Sequence, residues 1–156
     1  MTSGEVADRL AIEQLEARYC RSFDERNADA WAALFTPTGR YRTRGAPPGG
    51  DESGAVHLVG REALATFCRA APFSGVHLLH VADLTLDGDA ATGRIHYEHV
   101  GAFEGRTGLS RSVGYYDVRY ERIGGRWLIA DKVTTVFAMD GVIAHGYPTT
   151  SAFDGG

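Results

Sequence analysis

Between residues 5 and 23, apolar side chains recur at intervals of two to four: Leu10, Ile12, Leu15, Tyr19 and Phe23. That spacing predicts a helix with a broad apolar stripe. Ser3 and Glu5 suit its start, the first as a cap and the second against the positive end of the helix dipole. Asn27 can cap a second, short helix whose apolar face is Ala30, Trp31, Leu34 and Phe35, and Thr36-Pro37-Thr38-Gly39 is expected to end it. A short strand follows at 40–44. Residues 44–56 are polar and rich in Pro and Gly, which reads as a mobile loop. A brief strand at 57–59 leads to a third helix over 62–70, with Leu64, Phe67 and Cys68 facing inward. The period then changes from 3.6 to about 2. Strands are expected at 77–87, 92–102, 109–122 and 126–137, with hairpin turns at Asp87-Gly88-Asp89 and Ile123-Gly124-Gly125.

Three helices followed by a long antiparallel meander predict an α+β fold, because such a sheet must bury one face and helices gathered on one side accomplish that. The expected architecture is a cone-shaped α+β barrel, with the N-terminal helices packed against a strongly curved, mostly antiparallel sheet. The whole of 1–156 reads as a single domain, with a core at about 6–137 and an irregular tail at 138–156. Phe137, at the end of the core, and Met139, Ile143 and Tyr147 in the tail could close over a pocket or touch another subunit.

Composition narrows the function classes. The 156 residues are 44% hydrophobic, enough for one buried core. A net charge of -4 without any basic run argues against a nucleic-acid partner. Nothing approaches the roughly 18 apolar residues that a membrane-spanning helix takes, and MTSGEVADRL has no secretory pattern. Cys20 and Cys68 fall in helical segments and read as buried, reduced thiols of a cytoplasmic protein. The histidines have no tight multi-ligand spacing, so no metal is expected, and no Gly-rich phosphate loop or serine elbow suggests a cofactor or nucleophile.

The groups able to carry chemistry are scattered. Asp24 ends the first helix, and Tyr19 lies on its apolar stripe. Tyr41 sits in the first strand. His77 and His80 share the VHLLHVADLTLDG segment, His99 lies on the following strand, and Lys132 is in the last one. Strict alternation places His80 with Leu78, Leu84 and Leu86 on the apolar face and His77 on the wetter one, unless a bulge shifts the parity. His99 shares parity with Ile95 and Tyr97. Lys132 has the parity opposite to Trp127, Ile129 and Val133, which also suits a solvated residue.

The segments IEQLEARYCRSFDERNADAWAALFTPTGRY, GREAL, HLLHVADLTLDGDAATG and GYYDVRYERIGGRWLIADKVTTVF together resemble the nuclear transport factor 2-like superfamily in its SnoaL-like branch, over about residues 6–137. Within it the chain is most similar to the group that contains scytalone dehydratase, hexachlorocyclohexane dehydrochlorinase and a bile-acid 7α-dehydratase. The resemblance implies that Asp24 is the carboxylate closing the first helix and that His77, anchored on the LDGD turn, is its imidazole partner, with His80 second. Tyr19 precedes Asp24 by five residues as a Tyr does in the bile-acid enzyme. Lys132 follows Trp127 by five where the dehydrochlorinase has Arg, so the charge is kept and a bidentate fork is lost. Val81 stands where that enzyme has Asn.

These roles imply cofactor-free acid–base catalysis. An imidazole of pKa about 6.5 can take a proton at neutral pH. A buried carboxylate on its other nitrogen fixes the tautomer and stabilises the imidazolium. Tyr19 or Tyr41 could donate to a carbonyl or a departing hydroxyl, and Lys132 could stabilise an enolate. The leading expectation is a dehydratase of a small, apolar, cyclic or polycyclic hydroxy-carbonyl compound. A polyketide cyclase or an isomerase of the same branch would use the same pair. A non-catalytic ligand-binding or assembly protein, or the small subunit of a ring-hydroxylating dioxygenase, are readings of other classes. Relatives commonly form dimers or trimers, so a homodimer or homotrimer is expected.

Overall fold

The computed structural model describes residues 1–44, 55–143 and 151–153. Helix α1 spans Ser3–Asp24, and its cap is Thr2, one residue before the expected Ser3. The Thr2 hydroxyl accepts from the Glu5 N–H (3.2 Å) and the Glu5 carboxylate accepts from the Thr2 N–H (2.5 Å), a reciprocal box that satisfies two otherwise orphaned donors. Ile12, Leu15, Tyr19 and Phe23 are buried as their spacing predicts, whereas Leu10 is 57% exposed. Helix α2 (Ala28–Ala33) is capped by the Asn27 side chain, which accepts from the Ala30 N–H.

Strand β1 is Phe35–Arg44, longer than expected at its start. The segment expected to end the helix is instead extended, because Phe35 pairs with Ile129 and the Ile129 N–H donates to the Leu34 carbonyl (2.9 Å). Then come β2 (His57–Val59), α3 (Arg61–Ala70), β3 (Phe73–Leu79), β4 (Asp83–Asp87), β5 (Ala90–Phe103), β6 (Ser110–Ile123), β7 (Arg126–Met139) and β8 (Val142–Ile143). The expected mobile loop falls mostly at 45–54, which lies outside the described residues, as do 144–150 and 154–156 of the expected tail, Tyr147 included.

The expected cone-shaped barrel with a strongly curved sheet does not form. The sheet is open, in the order β2-β1-β7-β6-β5-β3, with β4 on β5 and β8 on β7. It is also mixed, since β1 runs parallel to β7 while the other pairs are antiparallel. Closure would require the two ends of the path to pair. One end, β2, has only three residues, and the far edge of β3 is occupied by α1, whose Asp24 carboxylate takes the His77 N–H.

Two irregularities decide which side chains face the helices. The expected strand at 77–87 is two strands. Both pair with β5, but residues 80–82 interrupt them. Phe73, Gly75, His77 and Leu79 therefore face inward before the break and Leu84 after it, while Val76 and Leu78 are more than half exposed. A register shift between β6 and β7 at Arg119/Tyr120 adds one residue, Ala130, to β7. Beyond it the inward parity changes from Trp127 and Ile129 to Lys132 and Thr134. The helix-covered face then packs Trp31, Phe35, Leu64, Ile95, Tyr116, Val118 and Ile129 into one core.

Candidate active site

Asp24 is the last residue of α1 and His77 lies in the middle of β3. The Asp24 carboxylate meets His77 twice. Oδ2 accepts the His77 backbone N–H (3.0 Å), and Oδ1 lies 2.6 Å from Nδ1. A carboxylate ionised in that position accepts the Nδ1–H and leaves Nε2 as the second ring nitrogen. Both side chains are largely buried, at 18% and 11% exposure. The Phe23 ring stands edge-on to the His77 imidazole. His80 does not join them. Its side chain is 64% exposed and 4.0 Å from Glu98, because the inward parity of β3 includes His77 and excludes His80.

Directly opposite His77 on β5 is His99, with ring centroids 4.6 Å apart. His99 is 4% exposed. Burial, reinforced by the neighbouring His77, lowers its pKa from 6.5 to about 4, with Asp24 opposing. Its ring fits because the paired Gly75 and Gly101 flank it. A Cβ at Gly75 would lie 2.3 Å from the Val100 carbonyl oxygen and 2.7 Å from His99 Nε2.

His77 and His99 line an inner cavity of about 290 Å³ whose walls are mainly Tyr41, Phe67, Phe73, Tyr97, Phe103 and Tyr116, with Ser112 and Thr134 as further polar groups. The Tyr41 hydroxyl accepts from Thr134 Oγ1 (3.1 Å), and burial raises the Tyr41 pKa, so the phenol keeps its proton for a donor role. Burial raises Tyr97 and Tyr116 as well. A second, open groove of about 670 Å³ runs along the Glu13, Ala17, Arg21 and Asp24 side of α1 against residues 77–82. His77 borders both spaces, and Asp24 borders the groove.

Tyr19 and Lys132 are brought together, but away from both spaces. Lys132 is fully buried and paired with Glu16, whose other oxygen accepts from the Tyr120 hydroxyl (2.8 Å). The ammonium lies over the rings of Tyr19 (3.8 Å) and Tyr116 (4.3 Å). Opposite charge and two ring faces thus compensate the desolvation of this cation. The Ala130 bulge puts Lys132 here rather than in solvent. Cys20 and Cys68 are free and buried. Burial pushes the Cys20 thiol up to about 12. Among the described residues no His, Cys, Asp and Glu cluster of three or more is placed to hold a metal ion, and no helix is long and apolar enough to cross a membrane.

Sequence reasoning missed the aromatic wall from Phe67, Phe73, Phe103 and Tyr116, and it missed Ser112. Phe73 precedes the expected start of its strand. Ser112 reaches the site by pairing with His99 across β5 and β6, a register that depends on the 104–109 connection.

The SnoaL-like domain profile matches residues 4–133. No curated protein matches at a significant level. Among solved structures, the chain is 27% identical to an Asp-to-Asn variant of Rv3472, a protein of unknown function from Mycobacterium tuberculosis. That match covers 85% of this chain and 73% of the other, with a TM-score of 0.73. A type 2 hexachlorocyclohexane dehydrochlorinase has a similar fold at 16% identity, covering 93% and 96% with a TM-score of 0.76. So does a ketosteroid isomerase-like protein from Erwinia carotovora atroseptica, at 16% identity, covering 83% and 95% with a TM-score of 0.69.

Proposed function

We propose that this chain, which belongs to the SnoaL-like domain family, is a cofactor-independent lyase that dehydrates a small, largely apolar cyclic or polycyclic hydroxy-carbonyl compound. The observation that carries the reading is the 2.6 Å contact between Asp24 and His77 beside a cavity walled by aromatic rings. Such a cavity favours a flat, apolar molecule, with a few polar groups to orient it. Solved proteins of similar fold include one named for dehydrochlorination and one named for its likeness to ketosteroid isomerase, which suits chemistry that begins by removing a proton from carbon.

In this reading Asp24 holds the Nδ1–H of His77, and Nε2 takes a proton from the carbon beside the substrate carbonyl. The C–H electron pair moves into the enolate and then into the new double bond as the C–O bond to the hydroxyl breaks. The proton on Nε2 passes to the departing hydroxide, so water leaves and the pair is reset. Tyr41 donates to the carbonyl, where charge develops. His99, neutral at pH 7 with its pKa lowered to about 4, offers one N–H and one lone pair to the leaving hydroxyl. Lys132, paired with Glu16 and covered by the Tyr19 ring, takes no part in the chemistry and serves the core. Two buried free thiols support a reducing, cytoplasmic setting. The exposed Val76 and Leu78 support a homodimer or homotrimer, which sedimentation would test.

The test is incubation with hydroxylated cyclic ketones, followed by mass spectrometry. Loss of water that disappears in Asp24→Asn and His77→Gln is the expected result. A product of unchanged mass would indicate an isomerase, and an added ring a cyclase. Ligands that bind unchanged, equally well in both variants, would make this a binding protein and overturn the enzymatic reading.

A further inference from the structure

Arg26 sits two residues after Asp24 with a φ of +59°, a left-handed backbone that an arginine adopts at a cost. That conformation turns the chain out of α1 and brings the guanidinium across to another part of the fold. Nη1 donates to the Cys68 carbonyl (2.8 Å), and Nη2 donates to the carbonyls of Ala71 (2.9 Å) and Phe73. The first acceptor is in the last turn of α3, the second follows that helix, and the third is the first residue of β3. The rings of Phe23 and Phe73 flank the cation at 5.5 and 6.0 Å. One half-buried side chain thus ties the end of α1 to the α3–β3 junction.

The location of that tie matters because β3 ends the sheet. One side of β3 pairs with β5, and the other faces α1. Beside the packing of Phe23 on Phe73 and His77, two hydrogen-bonded attachments cross from the end of α1 to β3: Arg26 at Phe73, and Asp24 at His77, four residues or about 13 Å further along the strand. We infer that Arg26 is a positioning residue for the Asp24–His77 pair, holding the start of β3 at the distance from α1 that lets the carboxylate reach both the backbone and the ring of His77. The inference rests on the acid–base reading of that pair for its catalytic meaning. Arginine suits the task because its planar fork spans three carbonyls, whereas a lysine ammonium donates from a single point.

The test uses Arg26→Gly and Arg26→Lys. Glycine accepts the positive φ without strain, so it removes the clamp while relieving the backbone. Lysine keeps the charge and loses the fork. The readout is amide hydrogen exchange, with the His77 N–H as reporter of the Asp24 contact. Exchange at His77 is expected to be about tenfold faster in both variants, while amides of β6 and β7 keep their protection, and added methylguanidinium should slow it again in Arg26→Gly. Unchanged exchange at His77, equal acceleration across all strands, or failure of both variants to fold would overturn the proposal, because Arg26 would then be irrelevant or merely a general stabiliser. The reporter is readable whether or not the wild-type protein dehydrates anything. An inactive wild type with a responsive His77 amide would sink the lyase reading alone. An active one with an unresponsive amide would sink the clamp alone.

Discussion

Replacing His99 with Gln should make the protein less sensitive to acid. His99 is 4% exposed, and its folded-state pKa is lowered from 6.5 to about 4, first by burial and then by His77. Above pH 6.5 the imidazole is neutral in both folded and unfolded chains and contributes no pH dependence. Between 6.5 and 4 the unfolded chain binds a proton that the folded one refuses, so stability falls as pH falls. Below about 4 both forms are protonated and the loss is complete. Working the two pKa values through linkage gives about 2.5 kcal/mol lost between pH ~7.5 and ~4.5, a ceiling set by a dry environment around the ring. Gln has no such proton. Urea unfolding of both proteins at the two pH values measures the effect, with other acid-sensitive groups cancelling in the difference. The wild type should lose about 2.5 kcal/mol more than the variant. Equal losses, within about 0.5 kcal/mol, would refute the placement of a neutral imidazole in a desolvated niche.

Asp24→Asn should fold normally and lower turnover by about 10²–10⁴-fold, read in steady-state kinetics on any substrate the screen yields, because an amide cannot stabilise the imidazolium. Lys132→Met should destabilise by about 3–5 kcal/mol in urea unfolding by leaving Glu16 buried beside Tyr120 without its cation, and Glu16→Gln added to it should recover much of that loss. Gly75→Ala should cost about 1–3 kcal/mol, since its Cβ would meet the backbone of Val100 and Gly101 as well as the His99 ring. A melting temperature equal to the wild type would show that β3 and β5 can separate freely there.

The order of elements was legible because helices and strands announce themselves through period. The 3.6-residue stripe from Ile12 to Phe23, the apolar face of Leu64 and Cys68, and the three long strands β5, β6 and β7 are local properties, and they appear where the pattern puts them. Asp24 at the end of α1 and His77 in the strand after α3 could be paired by resemblance. Alternation alone pointed to His80. It failed because parity is a local count that one interruption resets. The break at residues 80–82 turns Leu84 inward without taking His77 out, and the extra residue at Ala130 carries Lys132 from the solvent side into a buried pair with Glu16.

Sheet closure was likewise beyond the reach of pattern. It depends on whether the two ends of the strand path meet, and here α1 occupies the edge of β3 through Asp24. The order of apolar and polar residues along this chain therefore determined three helices and a meander, and its composition a supply of acid, base and aromatic groups. Tertiary structure decided which of those groups share a cavity. Register, bulges and edge contacts join residues such as Asp24 and His77, or His99 and Ser112, whose proximity no periodicity along the chain encodes.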